Sequence, residues 1–528
     1  MKRAASDPGI RQRTTHGMMI DAGSSGSRLH LFEFGPRVLS DKQDVEDAIS
    51  GRKISFPSSN SRWTDRLRPG IASFASIPDD KSLDAAIFDY LSPLLDFAKT
   101  ILQDKEEIMG EFPIFFRATA GMRILEKNDR NRVLSSVRRL FSDNTFCPFH
   151  FENEFARVLS GEEEAIFGWT GINFAMGNLV EQSEGAGTVI NPKLTYGALD
   201  MGGASTQIAF YEPDEDIMAN LFKLQIGQAK HWNLYAHSFL FFGLNEARNR
   251  FQAKLVAKAD MKTRLIIGVQ NPCLPGGSSE QVRLSIHIDD NGLETFDPGI
   301  GVSQNAFYQA MLKNDEQTGN FKDCLAHTNE ILNLEANSWC NFAHQGECSF
   351  NGVSMPYLPP QSEDGNGEFL AFSNYHHIWD FLGLNRRASM QELYDATNKI
   401  CSVSRNELVE YNKNHANVPD EEINDYCFRS SYAYNILSNG YGFKRDDYIT
   451  ATDVVNGQKV SWAVGAILYE INTFPWVIDS TDSLKDDHSH LQMITAFFFL
   501  LLGVSVLLSK IRRQNRQEYY EPLKEAKM

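Results

Sequence analysis

The chain is short of several things, and each shortage excludes a reading. Its seven cysteines include no Cys-X2-Cys pair, so their spacing does not suggest a zinc site. It has no excess of positive charge: the formal net charge is −17, the opposite of what binding to a nucleic-acid polymer's phosphates needs. It has no Asn-X-Ser/Thr acceptor, so glycosylation gives no help on topology. Solenoid-period repeats, heptads and low-complexity tracts are missing too. The segment from Met1 to His16 holds basic side chains but no apolar core, so it does not read as an export signal.

What is present belongs to a large globular protein. The 528 residues, 42% hydrophobic and 23% charged, suffice for two or more domains with their own cores. Residues 491–508 carry no charge, a run at the short end of what crosses a bilayer core of ~30 Å. Lys510, Arg512, Arg513 and Arg516 follow at once, and positive flanks stay cytosolic. The expected layout is a linker over 481–490, a transmembrane helix over 491–509 and a cytosolic tail over 510–528. The large N-terminal part would then be lumenal or extracellular. Cys273, Cys324, Cys340, Cys348, Cys401 and Cys427 fit an oxidising compartment as three disulfides, with Cys147 left over as a buried thiol. An export signal is then expected upstream of Met1.

The stretch from Met19 to Leu31 organises the rest. An apolar run, Met19-Ile20, ends on Asp21; the loop Ala22-Gly23-Ser24-Ser25-Gly26-Ser27 follows, and Leu29, Leu31 and Phe32 open a second extended run. This predicts strand, tight loop, strand. Glycines let the backbone come close to a ligand, and successive N–H groups with serine hydroxyls cradle a phosphate. Asp21, at the strand end, is placed to hold a divalent cation directly or through water. The pattern recurs at 198–210, where Ala198-Leu199 reach Asp200 and Met201-Gly202-Gly203-Ala204-Ser205-Thr206-Gln207 follow. Two such hairpins suggest a duplicated fold whose lobes grip one polyphosphate from both sides.

Between the hairpins lie two further candidates. Phe112 to Arg117 reads as a buried strand delivering the small-residue turn Ala118-Thr119-Ala120-Gly121, with Arg123 just after it. Ser160-Gly161-Glu162-Glu163-Glu164 reads as a helix start, with Ser160 and Glu163 as a capping box. At most one of the three carboxylates is left for chemistry, as acceptor of a proton from an attacking water. Later, Phe369 to Leu382 is rich in aromatics, which pack a core or sandwich a nucleobase; Tyr375 and Tyr432 are the nucleobase candidates.

These residues resemble the five signature segments of the apyrases, the ecto-nucleoside triphosphate diphosphohydrolases. The segments are Asp21 to Arg28, Ala118 to Arg123, Ser160 to Glu164 running on to Trp169, Ala198 to Gln207, and Trp462 to Gly465. They stand in the family's order and span residues 17 to about 475. Arg62 to Phe74 and the stretch after Asn472 look closest to the endomembrane, Golgi-type nucleoside diphosphatases. One departure is Ala165, where the family usually has glycine.

The resemblance implies an α/β, actin-like (ribonuclease-H-type) duplicated fold with an interlobe active site. Lobe I would cover 17–160 and be completed by about 455–480; lobe II would cover 161–454. It implies Ca²⁺ or Mg²⁺ held through water by Asp21 and Asp200. Glu164 would be the catalytic base, with Thr119, Ser205 and Gln207 orienting the water or the metal shell. Ser24, Ser25, Gly26 and Ser27, with Gly203, Ala204, Ser205 and Thr206, would bind phosphate. The implied disulfides are Cys273–Cys324, Cys340–Cys348 and Cys401–Cys427. The implied activity is conversion of nucleoside tri- or diphosphates to the monophosphate plus orthophosphate, by a single-pass membrane protein facing the Golgi lumen or the cell exterior. Alternatives are an exopolyphosphatase-like enzyme of the same fold and a non-catalytic nucleotide- or glycan-binding surface protein.

Overall fold

The computed structural model describes residues 15–39, 42–49, 53–179, 191–213, 220–226, 230–288, 294–295, 304–338, 348–362, 367–474 and 476–478. The chain divides into two units. Met1–Arg37 with Ser50–Pro475 carries both large sheets and the cleft between them. The other unit is Val38–Ile49 with Trp476–Met528. Among its described residues it holds helix Lys42–Ile49 and a parallel pairing of Val38–Leu39 with Val477–Ile478. The expected transmembrane segment, 491–509, lies outside the described residues. No described helix is long and apolar enough to cross a membrane.

In the large unit the first sheet is built on β1 (His16–Ala22) and β2 (Ser27–Glu33). Met18, Met19 and Ile20 are each fully buried, an unbroken apolar run suited to a strand covered on both faces. The other strands are β3 (Thr64–Leu67), β4 (Ile114–Ala118) and β5 (Ala156–Val158), in the order β3-β2-β1-β4-β5. Helix α1 (Asp80–Ile101) covers this lobe's core with Leu83, Ile87, Leu91, Leu94, Leu95 and Ala98, the buried face its helical spacing predicts.

The second sheet comprises β6 (Gly197–Met201), β7 (Ser205–Tyr211), β8 (Leu221–Ile226), β9 (Lys230–Leu240), β10 (Phe369–Ser373), β11 (Arg387–Ser389) and β12 (Tyr448–Ala451). Its order is β11-β12-β10-β6-β7-β9-β8. The inner five strands repeat the first sheet's topology. In lobe one, β2 pairs antiparallel with β3 and β1, β1 pairs parallel with β4, and β4 with β5. In lobe two, β7 pairs antiparallel with β9 and β6, β6 pairs parallel with β10, and β10 with β12. The duplication expected from two hairpins is thus a duplication of whole sheets, and the fold is the actin-like two-lobe α/β type.

The chain leaves β4 and β10 directly into helices. After β4 comes α2 (Ala120–Ile124), capped at Thr119; after β10 comes α6 (Asn374–Leu382), capped at Ser373. Between the lobes run α3 (Gly161–Met176) and, late in the chain, α9 (Trp462–Thr473). They touch backbone to backbone. A Cβ at Gly465 would lie 2.0 Å from the Phe167 carbonyl oxygen, and one at Gly171 would lie 2.7 Å from that of Ser461. Only glycine permits this approach. Buried apolar residues of both helices belong to a core shared by the first sheet and residues of the second.

The helical layer of lobe two includes α4 (Leu244–Ala257), α5 (Phe321–Asn329), α7 (Met390–Cys401) and α8 (Tyr426–Asn435). Disulfides Cys273–Cys324 and Cys401–Cys427 staple it, as the resemblance implied. Cys340 lies outside the described residues, so its pairing with Cys348 is not described. Cys147 is fully buried in the first core.

Candidate active site

The ends of the two hairpins line one cleft, open to solvent. Each hairpin closes the same way. The Gly23 N–H donates to the Gly26 carbonyl at 2.9 Å, and the Gly202 N–H donates to the Ser205 carbonyl at 2.9 Å. The N–H groups of Ser24, Ser25 and Gly26, and of Gly203 and Ala204, meet no protein acceptor among the described residues. All five residues line the cleft. The loops face each other closely: a Cβ at Gly203 would come within 2.7 Å of Ser24 Oγ. Two rows of unspent N–H groups across one gap suit a chain of phosphates.

Three carboxylates stand in this gap. Asp21 is the next-to-last residue of β1, opposite Arg28, and Asp200 is the next-to-last of β6, opposite Gln207. Glu164 sits in the first turn of α3. The capping box decides among the three consecutive glutamates. Ser160 Oγ accepts from the Glu163 N–H (3.1 Å) while Glu163 Oε2 accepts from the Ser160 N–H (2.9 Å), and Glu163 also pairs with Arg157. Glu162 faces His237 at 3.8 Å. Glu164 alone of the three lines the cleft, at 7% exposure.

Glu164 is held from one side. Its Oε2 accepts from Arg123 Nη2 (2.8 Å) and from Gln207 Nε2 (3.3 Å), leaving Oε1 without a protein partner among the described residues. Gln207 also donates to Ser205 Oγ (2.6 Å) and Ser238 Oγ (2.9 Å). Burial pushes the Glu164 carboxyl up, and Arg123 pulls it partway back. Burial, then the charge of Glu164, pushes Asp21 up to about 7 and Asp200 up to about 8. Asp200 Oδ1 is buried with no partner. Two buried aspartates, each pushed up by the charge of Glu164, around an orphaned oxygen fit a divalent cation, whose charge would relieve the repulsion.

Several expected residues are placed differently. Ser27 is fully buried, and its N–H donates to the Tyr90 hydroxyl at 3.1 Å, so it does not serve a phosphate. Thr206 is also fully buried; its hydroxyl donates to the Asp200 carbonyl at 2.8 Å, bracing the hairpin from behind. Both begin or extend the second strand, where the backbone is already in the ladder. Gln207 lies behind Glu164, 2% exposed, and does not line the cleft. Tyr375 and Tyr432 are both 0% exposed. They pack the second core, and neither presents a ring to a nucleobase. Asp21, Ser24, Ser25, Gly26, Thr119, Glu164, Asp200, Gly203, Ala204 and Ser205 do line the cleft.

The cleft also holds residues to which the motifs gave no role. Arg28 and Arg66 bring positive charge, and Arg66 Nη2 donates to Ser25 Oγ at 2.9 Å. Ser373, Asn374 and His377 enter from the start of α6, and Trp462 from the start of α9. The signal for Ser373 was topological, since it caps the helix after β10 as Thr119 caps the helix after β4. That relation appears only once the sheets are seen to repeat.

A two-lobed α/β protein with paired hairpins facing an acidic interlobe cleft is the class that fold and site define. A nucleoside triphosphate hydrolase from Neospora caninum has a similar fold, with a TM-score of 0.58 at 16% identity over 87% of this chain and 92% of that one. The model of the GDA1/CD39 (nucleoside phosphatase) family matches residues 10–492, and the chain belongs to that family. It is 28% identical over 507 residues to ectonucleoside triphosphate diphosphohydrolase 2 of Gallus gallus, covering 93% of this chain and 88% of that protein. It is 27% identical over 514 residues to nucleoside-diphosphatase mig-23 of Caenorhabditis briggsae, covering 94% and 84%. It is 26% identical over 486 residues to the Golgi apyrase of Saccharomyces cerevisiae, covering 86% and 69%.

Proposed function

We propose that this chain hydrolyses the terminal phosphate of nucleoside tri- and diphosphates, with Glu164 as general base and Ca²⁺ or Mg²⁺ as the required ion. The observation that carries the assignment is the one-sided grip on Glu164. Arg123 and Gln207 fix one carboxylate oxygen and leave the other for a water in the cleft. Family membership and the names of the curated relatives support the substrate class.

The N–H groups of Ser24, Ser25 and Gly26 hold phosphoryl oxygens from lobe one, and those of Gly203 and Ala204 hold them from lobe two. Arg28 and Arg66 add charge at the same wall. Thr119 and Ser205 orient the attacking water, which gives its proton to Glu164 Oε1 as the oxygen approaches phosphorus in line with the leaving group. Gln207 keeps the base in place from behind. Asp21 and Asp200 would hold the cation through its water shell; when bound it neutralises charge on the phosphoryl oxygens. Such chemistry rests on positioning and charge more than on any one group, and a general base contributes ~10²–10⁴-fold.

The compartment follows the same reasoning. Two disulfides, an endomembrane relative and the uncharged run at 491–508 support a single-pass protein with its catalytic part lumenal or extracellular. The test of the activity is orthophosphate release from ATP, ADP, UDP and GDP, with Ca²⁺ or Mg²⁺ and with chelator. Release that chelation abolishes is expected. Release untouched by chelation, or none from any nucleotide, would contradict the assignment.

A further inference from the structure

Ser373 stands out against the rest of the cleft. It is not glycine, yet its backbone sits at φ 58° and ψ −125°. L-residues avoid this region, and where a fold enforces it the strain tends to lie at a functional position. The residue is the last of β10 and the sharp corner from which α6 starts. The corner is held firmly: Asn374 Nδ2 donates to the Met201 carbonyl at 2.7 Å, and Ser373 itself pairs with Met201 across the parallel ladder. Its hydroxyl makes no capping bond to the helix it starts, so it is not spent on helix formation.

We propose that Ser373 is a positioning residue for Asp200, the second lobe's counterpart of Thr119. Three observations meet on it. Thr119 and Ser373 each cap the helix that follows the strand parallel to a hairpin's first strand. Neither hydroxyl caps its helix, and both residues line the cleft. Asp200 pairs in the ladder with Phe372, the residue before Ser373, and Asp200 and Ser373 line the same cleft; a pull from the Ser373 side chain offsets part of the upward push that burial gives Asp200. The strained corner brings a hydroxyl to the wall of the cleft that holds Asp200, whose buried Oδ1 has no partner. It thereby fixes the carboxylate's orientation toward the cation's water shell. This inference rests on Asp200 as the cation-side carboxylate.

The test uses the full chain with Ser373→Gly, Ser373→Ala and Asp200→Ala. Melting temperature, cation binding by calorimetry and steady-state kinetics are read together. Ser373→Gly relieves the backbone and should melt no lower than the parent. It should nevertheless bind Ca²⁺ about tenfold more weakly and lose about tenfold in kcat with KM little changed, the range typical of groups that orient ligand residues. Ser373→Ala, which keeps the strained backbone and removes only the hydroxyl, should show the same losses. In the Asp200→Ala background, Ser373→Ala should weaken cation binding no further. Wild-type cation binding and kcat in both serine variants, with Asp200→Ala impaired, would overturn the role of Ser373 alone. Undiminished cation binding in Asp200→Ala would overturn the reading of Asp200 and this inference with it.

Discussion

Arg123 Nη2 donates to Glu164 Oε2 at 2.8 Å and lies 3.2 Å from Ser205 Oγ, so one guanidinium from the first lobe ties the base to the second hairpin. Its Nη1 donates to the Leu159 carbonyl, just before the helix that carries Glu164. The ion pair is nearly buried, and breaking such a pair leaves an uncompensated charge. Arg123→Met should therefore lower kcat by about 10–100-fold, an orienting effect of the size seen for second partners of active groups. Arg123→Lys, with one charge but no fork, should recover only part of it. Unchanged kcat in Arg123→Met, with the fold intact by circular dichroism, would show that Glu164 is positioned without it.

The two hairpin carboxylates give a pH prediction whose sign is fixed. Asp21 at about 7 and Asp200 at about 8 both lie above the ordinary 3.8, so the folded chain holds their protons longer than the unfolded chain does. Their contribution to stability is present in full below about pH 4 and is lost as pH rises through about 7 and 8. Cation-free protein should accordingly melt at lower temperature at about pH 9 than at about pH 5. The cation must displace those protons, so its half-saturating concentration should fall over the same rise in pH. Calorimetric melts across this range with chelator, repeated with Ca²⁺, check both. A flat cation-free profile would mean the carboxylates are not mutually strained.

Gly465 marks where two interlobe helices share space. A methyl there would sit 2.0 Å from the Phe167 carbonyl oxygen, a backbone atom that cannot swing aside. Gly465→Ala should cost at least ~1–3 kcal/mol of stability, the range for overpacking, measured as a shift in denaturant midpoint. It should also reduce turnover, because α3 carries Glu164. Wild-type stability would show that the helices can separate freely.

The sequence displayed the hairpins well because their signals are local. An apolar run, a carboxylate and glycines at a turn fix strand, end and loop without tertiary help, and Gly23 and Gly202 close as that pattern requires. The capping box was legible for the same reason, and it removed Glu163 from the candidates. The motifs misled where they ran past the loop. Ser27 and Thr206 carry the right chemistry, but by then the chain is inside the next strand and faces away. Tyr375 and Tyr432 were ambiguous in composition, and burial decided them. Arg28, Arg66, Ser373 and His377 reach the cleft through strand pairing and lobe repetition, which spacing along the chain does not record.

Replacing Glu164 by glutamine removes the proton acceptor while keeping the shape of the side chain, so it isolates the base from the rest of the cleft. The full-length Glu164→Gln protein should bind nucleotide and Ca²⁺ but release orthophosphate ~10²–10⁴-fold more slowly than the parent. Glu162→Gln and Glu163→Gln, whose side chains face His237 and the helix cap, should retain most of the turnover. Near-normal release from Glu164→Gln, or its loss in Glu162→Gln instead, would contradict the assignment of Glu164 as the base.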